Sequence, residues 1–267
     1  MTLSEPENNL IQEILERRLK DVQEIAARRP VLELQRNARR RTHRSLSSKL
    51  EFAESPCIIA EMKKASPSAG IFKSEYYPEK IAAEYFESGV DALSVLTEPH
   101  YFQGDIEHIG AVRKTVDLPI LRKDFIGDPY QVYETAAMGA DVILLIVKAL
   151  QPKRLERLYY LALSLGLEVL MESHTQEELY IATGYQDAIL GINNRDLETL
   201  KTDLNQGLRL SEYIPSGRLS VIESGIKTRK EIEKFWDAGY RGFLIGEVLM
   251  KSHCLKEKLA ELSGTIP

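Results

Sequence analysis

The sequence predicts the α/β class, as a single (β/α)8 (TIM) barrel with an extra N-terminal helical segment. Eight short apolar runs alternate with amphipathic stretches, and the units average about 26 residues, the size of a compact βα unit. Polar residues also gather at the same end of run after run. A doubly wound open sheet is the alternative, but such sheets usually have fewer strands and open on a Gly-rich turn, which is missing after Met62.

Taken in order, Leu10, Ile11, Ile14, Leu15, Leu19, Val22 and Ile25 recur at spacings of three and four, which predicts an amphipathic helix ended by Pro30. Seven arginines follow between Arg28 and Arg44. They read first as a solvated helix face and second as a positive rim that draws anions to a site. The Val/Ile/Leu-rich runs cover 57–62, 91–96, 119–123, 141–146, 168–172, 188–192, 219–223 and 242–246. Between them 78–88, 129–138, 152–164, 175–183 and 228–238 read as helices, several opening with Pro or Thr as helix starts do. Gly89, Gly139, Gly166 and Gly239 each stand just before a run, where a glycine closes one helix and turns the chain into the next strand. Residues 1–50 are expected to form the extension packed on the barrel, and 51–267 the barrel itself. The first connection, 64–77, is long for such a unit and reads as a working loop.

A chain of 267 residues with 43% apolar and 28% charged residues suits one large soluble domain. Its net charge of -5 gives no global field for nucleic acid or anionic membrane, so any anion must be held locally. Cys57 in the first run and Cys254 in an expected terminal helix are too few and too separate for a disulfide framework or metal cluster. The N-terminus lacks the build of a signal peptide and no apolar run approaches a membrane span, so a cytoplasmic protein is expected.

The chemistry is expected where the carboxyl ends of the strands meet. The first run ends in Glu61 and Lys63, which face the same way while Met62 faces the other. The third ends in Lys123, Asp124 and Phe125, the fifth in Glu172, and the sixth in Asn193, Asn194 and Arg195. The seventh ends in Glu223, Ser224 and Gly225, and the eighth in Gly246 and Glu247. Any one of these alone reads as a polar residue in solvent, but the opposite ends show nothing comparable. Ser224-Gly225 and Gly246-Glu247 offer backbone N–H groups to an anion, with a helix N-terminus behind them. Glu61, Lys63, Lys123 and Glu172 set two carboxylates and two ammonium groups around one mouth. Mutual pairing keeps all four charged, whereas burial and competition push a lysine down far enough to act as an acid near neutral pH. Structural salt bridges are the plainer alternative.

On these residues the chain resembles the indole-3-glycerol phosphate synthase family. The resemblance is carried by EMKKASPS (61–68), LTEPHYFQG (96–104), PILRKDFI (119–126), GADVILLI (139–146), GINNRDL (191–197), ESGI (223–226) and LIGEVLM (244–250). It implies cyclisation, decarboxylation and dehydration of 1-(2-carboxyphenylamino)-1-deoxyribulose 5-phosphate to indole-3-glycerol phosphate in tryptophan biosynthesis, a carboxy-lyase reaction with no cofactor or metal. Lys123 matches the general acid, and Lys63 and Glu172 the acid and base of the dehydration. Glu61 would hold the ammonium groups, and Asn193 would anchor a substrate hydroxyl. Arg195 would clamp the anthranilate carboxylate, with Phe125 and Tyr101-Phe102 as apolar walls. Ser66, Glu223 and Ser224 would contact the substrate, and Ser224, Gly225, Gly246 and Glu247 its phosphate. The five histidines, His43, His100, His108, His174 and His253, show no ligand spacing and read as surface or supporting residues.

Ala69 and Asp105 stand where relatives commonly carry a basic residue and a serine, and both are expected to border the mouth. The expected partner is a small phosphorylated molecule, with no nucleic acid or membrane, and the chain is expected to be a monomer or weak homo-oligomer without a fused neighbour. Two rivals remain. A phosphoribosylanthranilate isomerase would use a cysteine and an aspartate, but Cys57 lies at the wrong end of its run. A barrel that binds a phosphorylated ligand without turning it over would be marked by loss of a charged catalytic residue.

Overall fold

The computed structural model describes residues 10–38, 42–67, 70–72 and 75–264. Eight parallel strands close into a barrel: β1 (Cys57–Met62), β2 (Ala92–Leu96), β3 (Ile120–Lys123), β4 (Val142–Ile146), β5 (Glu168–Ser173), β6 (Ile189–Asn193), β7 (Ser220–Glu223) and β8 (Gly242–Ile245). Each strand pairs with its neighbours in sequence, and β8 closes on β1 with Cys57 opposite Gly242. Three helices come first, α1 (Leu10–Arg28), α2 (Val31–Ala38) and α3 (Leu46–Glu51), followed by α4 (Pro78–Glu87), α5 (Glu107–Thr115), α6 (Pro129–Met138), α7 (Pro152–Ser164), α8 (Gln176–Thr183), α9 (Leu204–Ser211), α10 (Arg229–Asp237), α11 (Glu247–Met250) and α12 (Leu255–Ser263). None of the described helices is long and apolar enough to cross a membrane.

Local chemistry sets the helix boundaries. Asp128 caps α6 by accepting from Tyr130 N, Pro129 presets its first turn, and Thr175 and Thr228 cap α8 and α10 through Glu178 N and Glu231 N. Gly89, Gly139, Gly166 and Gly239 all have positive φ, between 68° and 100°, the left-handed geometry that turns a helix end into a strand. Cys254 is the residue before α12 rather than part of it. The long first connection carries a small antiparallel hairpin, Ala65–Ser66 with Gly70–Ile71; Ala69 and Ser68 lie outside the described residues.

The N-terminal helices grip the barrel at both ends. α1 lies against the carboxyl-end mouth, where Leu10, Ile11 and Ile14 reach into its pocket. α3 lies at the other end: Glu168, opening β5, accepts from Ser45 Oγ at 2.6 Å, Leu46 N at 2.9 Å and Ser47 N at 3.0 Å. Asp141, just before β4, accepts from Arg44 N and Ile120 N, each at 3.0 Å, and pairs with Arg113. Asp91 accepts from Ile58 N at 2.8 Å. The amino ends of the strands therefore do carry buried or half-buried carboxylates, contrary to expectation. They satisfy backbone N–H groups and pin connections, a stabilising role that reads from sequence like any charged residue at a loop. Arg44 belongs to this end, where it pairs with Asp117, so it forms no part of a rim at the mouth. Arg39, Arg40 and Arg41 lie outside the described residues.

One buried network ties α1, β2, β3 and α6 together. Arg122 alternates with Lys123 and points outward from β3, fully buried, donating to Thr97 Oγ1 (3.1 Å), Gln131 O (3.0 Å) and Thr135 Oγ1 (3.1 Å) and pairing with Glu134 Oε2 (2.9 Å). Its Nη2 also meets Asp124 Oδ2 at 2.9 Å, and Arg18 from α1 forks onto both Asp124 oxygens at 3.0 and 2.8 Å. Burial alone would raise the Asp124 pKa, but Arg18 and Arg122 hold it well below the usual aspartate range. A carboxylate depressed in this way stabilises the fold above its unfolded pKa of about 3.9 and loses that contribution as pH falls through the folded value. Asp124→Asn should lower the unfolding free energy by about 3 kcal/mol in urea at pH 7, because it removes the anion shared by two buried guanidinium groups and leaves each with one carboxylate partner among the described residues, Asp21 for Arg18 and Glu134 for Arg122. The gap between variant and parent should narrow below about pH 4.

Candidate active site

The carboxyl-end mouth opens into a pocket of about 1180 Å³, counted out into the open solvent at its rim. Strand alternation fills it: Glu61 and Lys63, Lys123 and Phe125, Leu144 and Ile146, Asn193 and Arg195, and Glu223 and Gly225 all line it, each pair two residues apart. Glu172 lines it from β5, while Leu96, Leu144 and Ile146 make an apolar stretch on the side of β2 and β4.

At the centre Lys123 Nζ lies 2.6 Å from Glu172 Oε2 and 2.8 Å from Glu223 Oε2. Burial works against the ammonium charge, but Glu172, Glu223 and Glu61 outweigh it and raise the Lys123 pKa above the ordinary lysine value. Of the two outcomes open from sequence, pairing wins over depression. The two carboxylates divide. Burial opposes ionisation in both, yet Lys123 and His174 hold Glu172 well below the ordinary range, whereas burial and the repulsion of Glu172 and Glu61 push Glu223 up to about 7. Glu223 Oε1 is buried without a hydrogen-bond partner among the described residues. A held-ionised and a protonatable carboxylate around one ammonium give the mouth a base and a proton reservoir side by side.

The second charged pair stands apart. Lys63 Nζ meets Glu61 Oε2 at 2.6 Å and lies 5.3 Å from the centre of the Phe72 ring. Glu61 thus holds Lys63 directly and acts on Lys123 only through its field. A Cβ at Gly246 would collide with the Glu61 carboxylate, and one at Gly191 would lie 2.7 Å from Glu223 Oε1. These glycines make room for buried carboxylates.

The rest of the predicted set opens onto the same pocket. Asn193 Nδ2 donates to Glu172 Oε1 at 3.1 Å and its Oδ1 accepts from Arg195 N at 3.0 Å, while Arg195 Nη1 is held by Leu200 O at 3.0 Å. Phe102 and Phe125 pack with ring centres 6.5 Å apart. Tyr101 does not line the pocket. Its hydroxyl donates to Glu13 Oε1 at 2.6 Å, because Glu98 gathers Tyr101 N and Phe102 N at 2.7 and 3.0 Å and turns the two rings apart. Asp105 is exposed and accepts from Glu107 N at 2.9 Å at the start of α5.

Ser66, Ser224, Gly225, Gly246 and Glu247 face the pocket from the β8 and β1 side. Ser224 and Gly225 have consecutive positive φ of 66° and 88°, a turn held by Asn194 Nδ2 on Ser224 O at 3.1 Å. The helix behind that turn differs from expectation: Thr228 and Glu231 already cap the first turn of α10. The open first turn is that of α11, whose Glu247 carboxylate is drawn off to Lys251 at 2.6 Å. Lys227 also borders this side, a cation that the sequence reading passed over.

His174 is the other residue missed. It sits two positions after Glu172, with its side chain 8% exposed and Nε2 3.3 Å from Glu172 Oε1. The two-residue spacing was the available signal, since it puts both side chains on one face.

An acid–base site of this build, at the carboxyl-end mouth of a closed eight-stranded barrel, defines a (β/α)8-barrel enzyme. The model of one family, described as indole-3-glycerol phosphate synthase, matches residues 11–262, and the chain belongs to that family. Its relatives include the indole-3-glycerol phosphate synthase of Aliarcobacter butzleri, 46% identical over 209 residues (78% of this chain, 80% of the relative), and that of Alkaliphilus metalliredigens, 44% identical over 219 residues (82% and 84%). Solved structures share the fold at low identity: 3-hexulose-6-phosphate synthase from Salmonella typhimurium (TM-score 0.63, 10% identity, covering 78% of this chain and 96% of that one) and a mutant tryptophan synthase alpha-subunit from Pyrococcus furiosus (TM-score 0.60, 13% identity, 79% and 98%).

Gly246→Ala should cut turnover by about a hundredfold while shifting the thermal midpoint little, since Glu61 and Lys63 must move to admit the methyl group. Steady-state kinetics beside a melting curve checks it, and parent-like turnover would show that the space at Gly246 is not needed.

Proposed function

We propose that this chain converts 1-(2-carboxyphenylamino)-1-deoxyribulose 5-phosphate into indole-3-glycerol phosphate, carbon dioxide and water, the reaction its family is named for, with Lys123 as the principal acid. What supports the reading is the Lys123 ammonium held between Glu172 and Glu223 in a mouth that has aromatic walls on one side and a glycine-lined cradle on the other.

Ring closure joins the aromatic carbon to the ribulose carbonyl carbon, and the carbonyl oxygen gains a proton. Lys123 spends two of its three N–H bonds on Glu172 and Glu223, which leaves one for that oxygen. Its raised pKa makes it a reluctant donor until negative charge develops on the oxygen, and proton uptake by Glu223, near neutrality, lessens its hold on the ammonium. Loss of carbon dioxide restores the aromatic ring. The hydroxyl then leaves as water, with Lys63 and Glu172 as the acid–base pair.

Glu61 holds Lys63 in place, and Asn193 anchors a substrate hydroxyl. Arg195 clamps the anthranilate carboxylate, and Phe102 and Phe125 sandwich the benzene ring. Ser66 and Ser224 contact the substrate, and the N–H groups of Gly225, Gly246 and Glu247 cradle its phosphate, with Lys227 adding charge from the rim. The protein acts in the cytoplasm as a monomer or weak homo-oligomer on this small phosphorylated substrate.

Purified protein given the substrate, with no added metal or cofactor, should produce a saturable rise in indole fluorescence. Lys123→Ala should lower kcat by about a thousandfold while substrate still binds by calorimetry. Undiminished turnover in that variant would remove Lys123 from the acid's place. No product from the parent protein with binding intact would leave a barrel that holds the ligand without turning it over. Arg195→Ala should raise KM about tenfold to a hundredfold with a smaller change in kcat, the loss of a charge-assisted pair. An unchanged KM would exclude the clamp.

A further inference from the structure

We propose that His174 is a positioning residue for Glu172: it grips Oε1 from behind the mouth so that Oε2 is the oxygen offered to Lys123 and to the reacting atoms. This rests on the reading of Glu172 as a catalytic carboxylate.

His174 does not line the pocket, yet its ring is almost enclosed and is bracketed by two carboxylates. Nδ1 lies 3.3 Å from Glu178 Oε2 in a hydrogen bond, and Nε2 lies 3.3 Å from Glu172 Oε1, an ion-pair contact without hydrogen-bond geometry, so its hold on that oxygen is one of charge. The backbone fixes the ring's root: His174 N donates to Glu178 Oε2 at 2.7 Å, and Gln206 Nε2 donates to His174 O at 2.6 Å and to Asn193 O at 3.2 Å. Glu178 is anchored in turn at the first turn of α8, where its N–H meets the Thr175 cap. The groups facing the ring are thus Glu172 from β5 and Glu178 from α8, with neutral Gln206 from α9 and neutral Asn193 from β6. Lys148, after β4, acts on Glu178 from the far side.

Burial disfavours the imidazolium, but the two carboxylates outweigh it and raise His174 to about 9, so the ring is a cation across the neutral range. Glu172 then has Lys123 on Oε2 and His174 with Asn193 on Oε1. Without His174, Glu172 would face no cation once Lys123 passed its proton to the substrate. His174, held outside the reacting space, keeps its charge and keeps Glu172 ionised. The same charge repels the Lys123 ammonium and so makes it a better acid. Both effects have one sign: without the imidazolium, the pKa values of Glu172 and Lys123 rise together.

The test is the pH dependence of kcat in His174→Gln, whose side chain is polar and of similar reach but carries no charge. The acid limb of the profile should move to higher pH, with turnover about tenfold lower there and recovered as pH is raised. KM should change much less. A profile superimposable on the parent's, or a loss equal at every pH, would overturn the proposal. If His174→Gln melts below assay temperature, Glu178→Gln serves: it weakens the bracket while the histidine stays, and should shift the profile the same way by a smaller amount. No shift in that folded variant would again overturn it. Glu172→Gln separates the two readings, because full turnover there would refute the role of Glu172 itself, whereas near-total loss there with an unmoved profile in His174→Gln would refute only the role of His174.

Discussion

The Asp124 carboxylate, clamped between Arg18 and Arg122, is the interaction on which the rest of the mouth depends. It follows Lys123 directly, so whatever fixes Asp124 fixes the direction in which Lys123 leaves β3. Arg122 holds it from the helix layer, Arg18 from α1, and Thr97 Oγ1 from the end of β2 at 2.8 Å, while one of its oxygens accepts Phe125 N at 2.8 Å. Three separate pieces of chain meet on one side chain. The desolvation cost of two buried guanidinium groups is repaid only if all partners are in place, which makes the arrangement all-or-none and therefore specific in geometry. α1 is then not a decoration on a finished barrel, because its Arg18 completes this network while its Leu10, Ile11 and Ile14 face the pocket.

Within the mouth, electrostatics sorts like residues into unlike roles. Glu172 and Glu223 touch the same ammonium at similar distances, and both are fully buried. They differ in their other neighbours: Glu172 has Asn193 and His174 on its second oxygen, and Glu223 has none there among the described residues. That difference is enough to hold one ionised and bring the other to titrate near neutrality. Of the two outcomes open for a lysine here, burial alone favours depression. Three carboxylates within range reverse the sign and hold Lys123 charged.

What the sequence could reveal follows the range of the physics. Strand alternation, caps and positive-φ glycines act over a few residues, so the eight strands, the helix starts at Pro78, Pro129, Thr175 and Thr228, and the pocket-facing ends of the strands were legible. Helices α5 and α9 gave weaker signals, each carrying an internal glycine, Gly110 or Gly207. At Gly207 a side chain would meet Ile222 and Asn194, a tertiary reason that overrides helix propensity. Arg122 looked like one more charge beside Lys123, and its partners Thr97, Gln131 and Glu134 come together only in the fold. Asp91, Asp141 and Glu168 escaped for the same reason, since their backbone partners lie far along the chain, on β1, on β3 and around the start of α3. His174 is the instructive miss: its spacing from Glu172 was visible, but Glu178, which makes the bracket, is brought under it by the turn into α8.

Gly191 and Gly246 show how a packed barrel accommodates charge. Glycine at a strand end invites the reading that its N–H approaches a phosphate, and Gly246 does face that side. Yet each of the two also lies under a buried carboxylate, Gly191 beneath Glu223 and Gly246 beside Glu61, where any side chain would occupy the space of the acid. A barrel interior filled with side chains has no spare volume near its axis, so every inward acid needs a neighbour that withdraws. Placing Glu61 on β1 therefore constrains β8, and placing Glu223 on β7 constrains β6. Gly191 within β6, and Gly246 just after β8, which read as an anion-binding position, are in part the shape complement of the acids beside them.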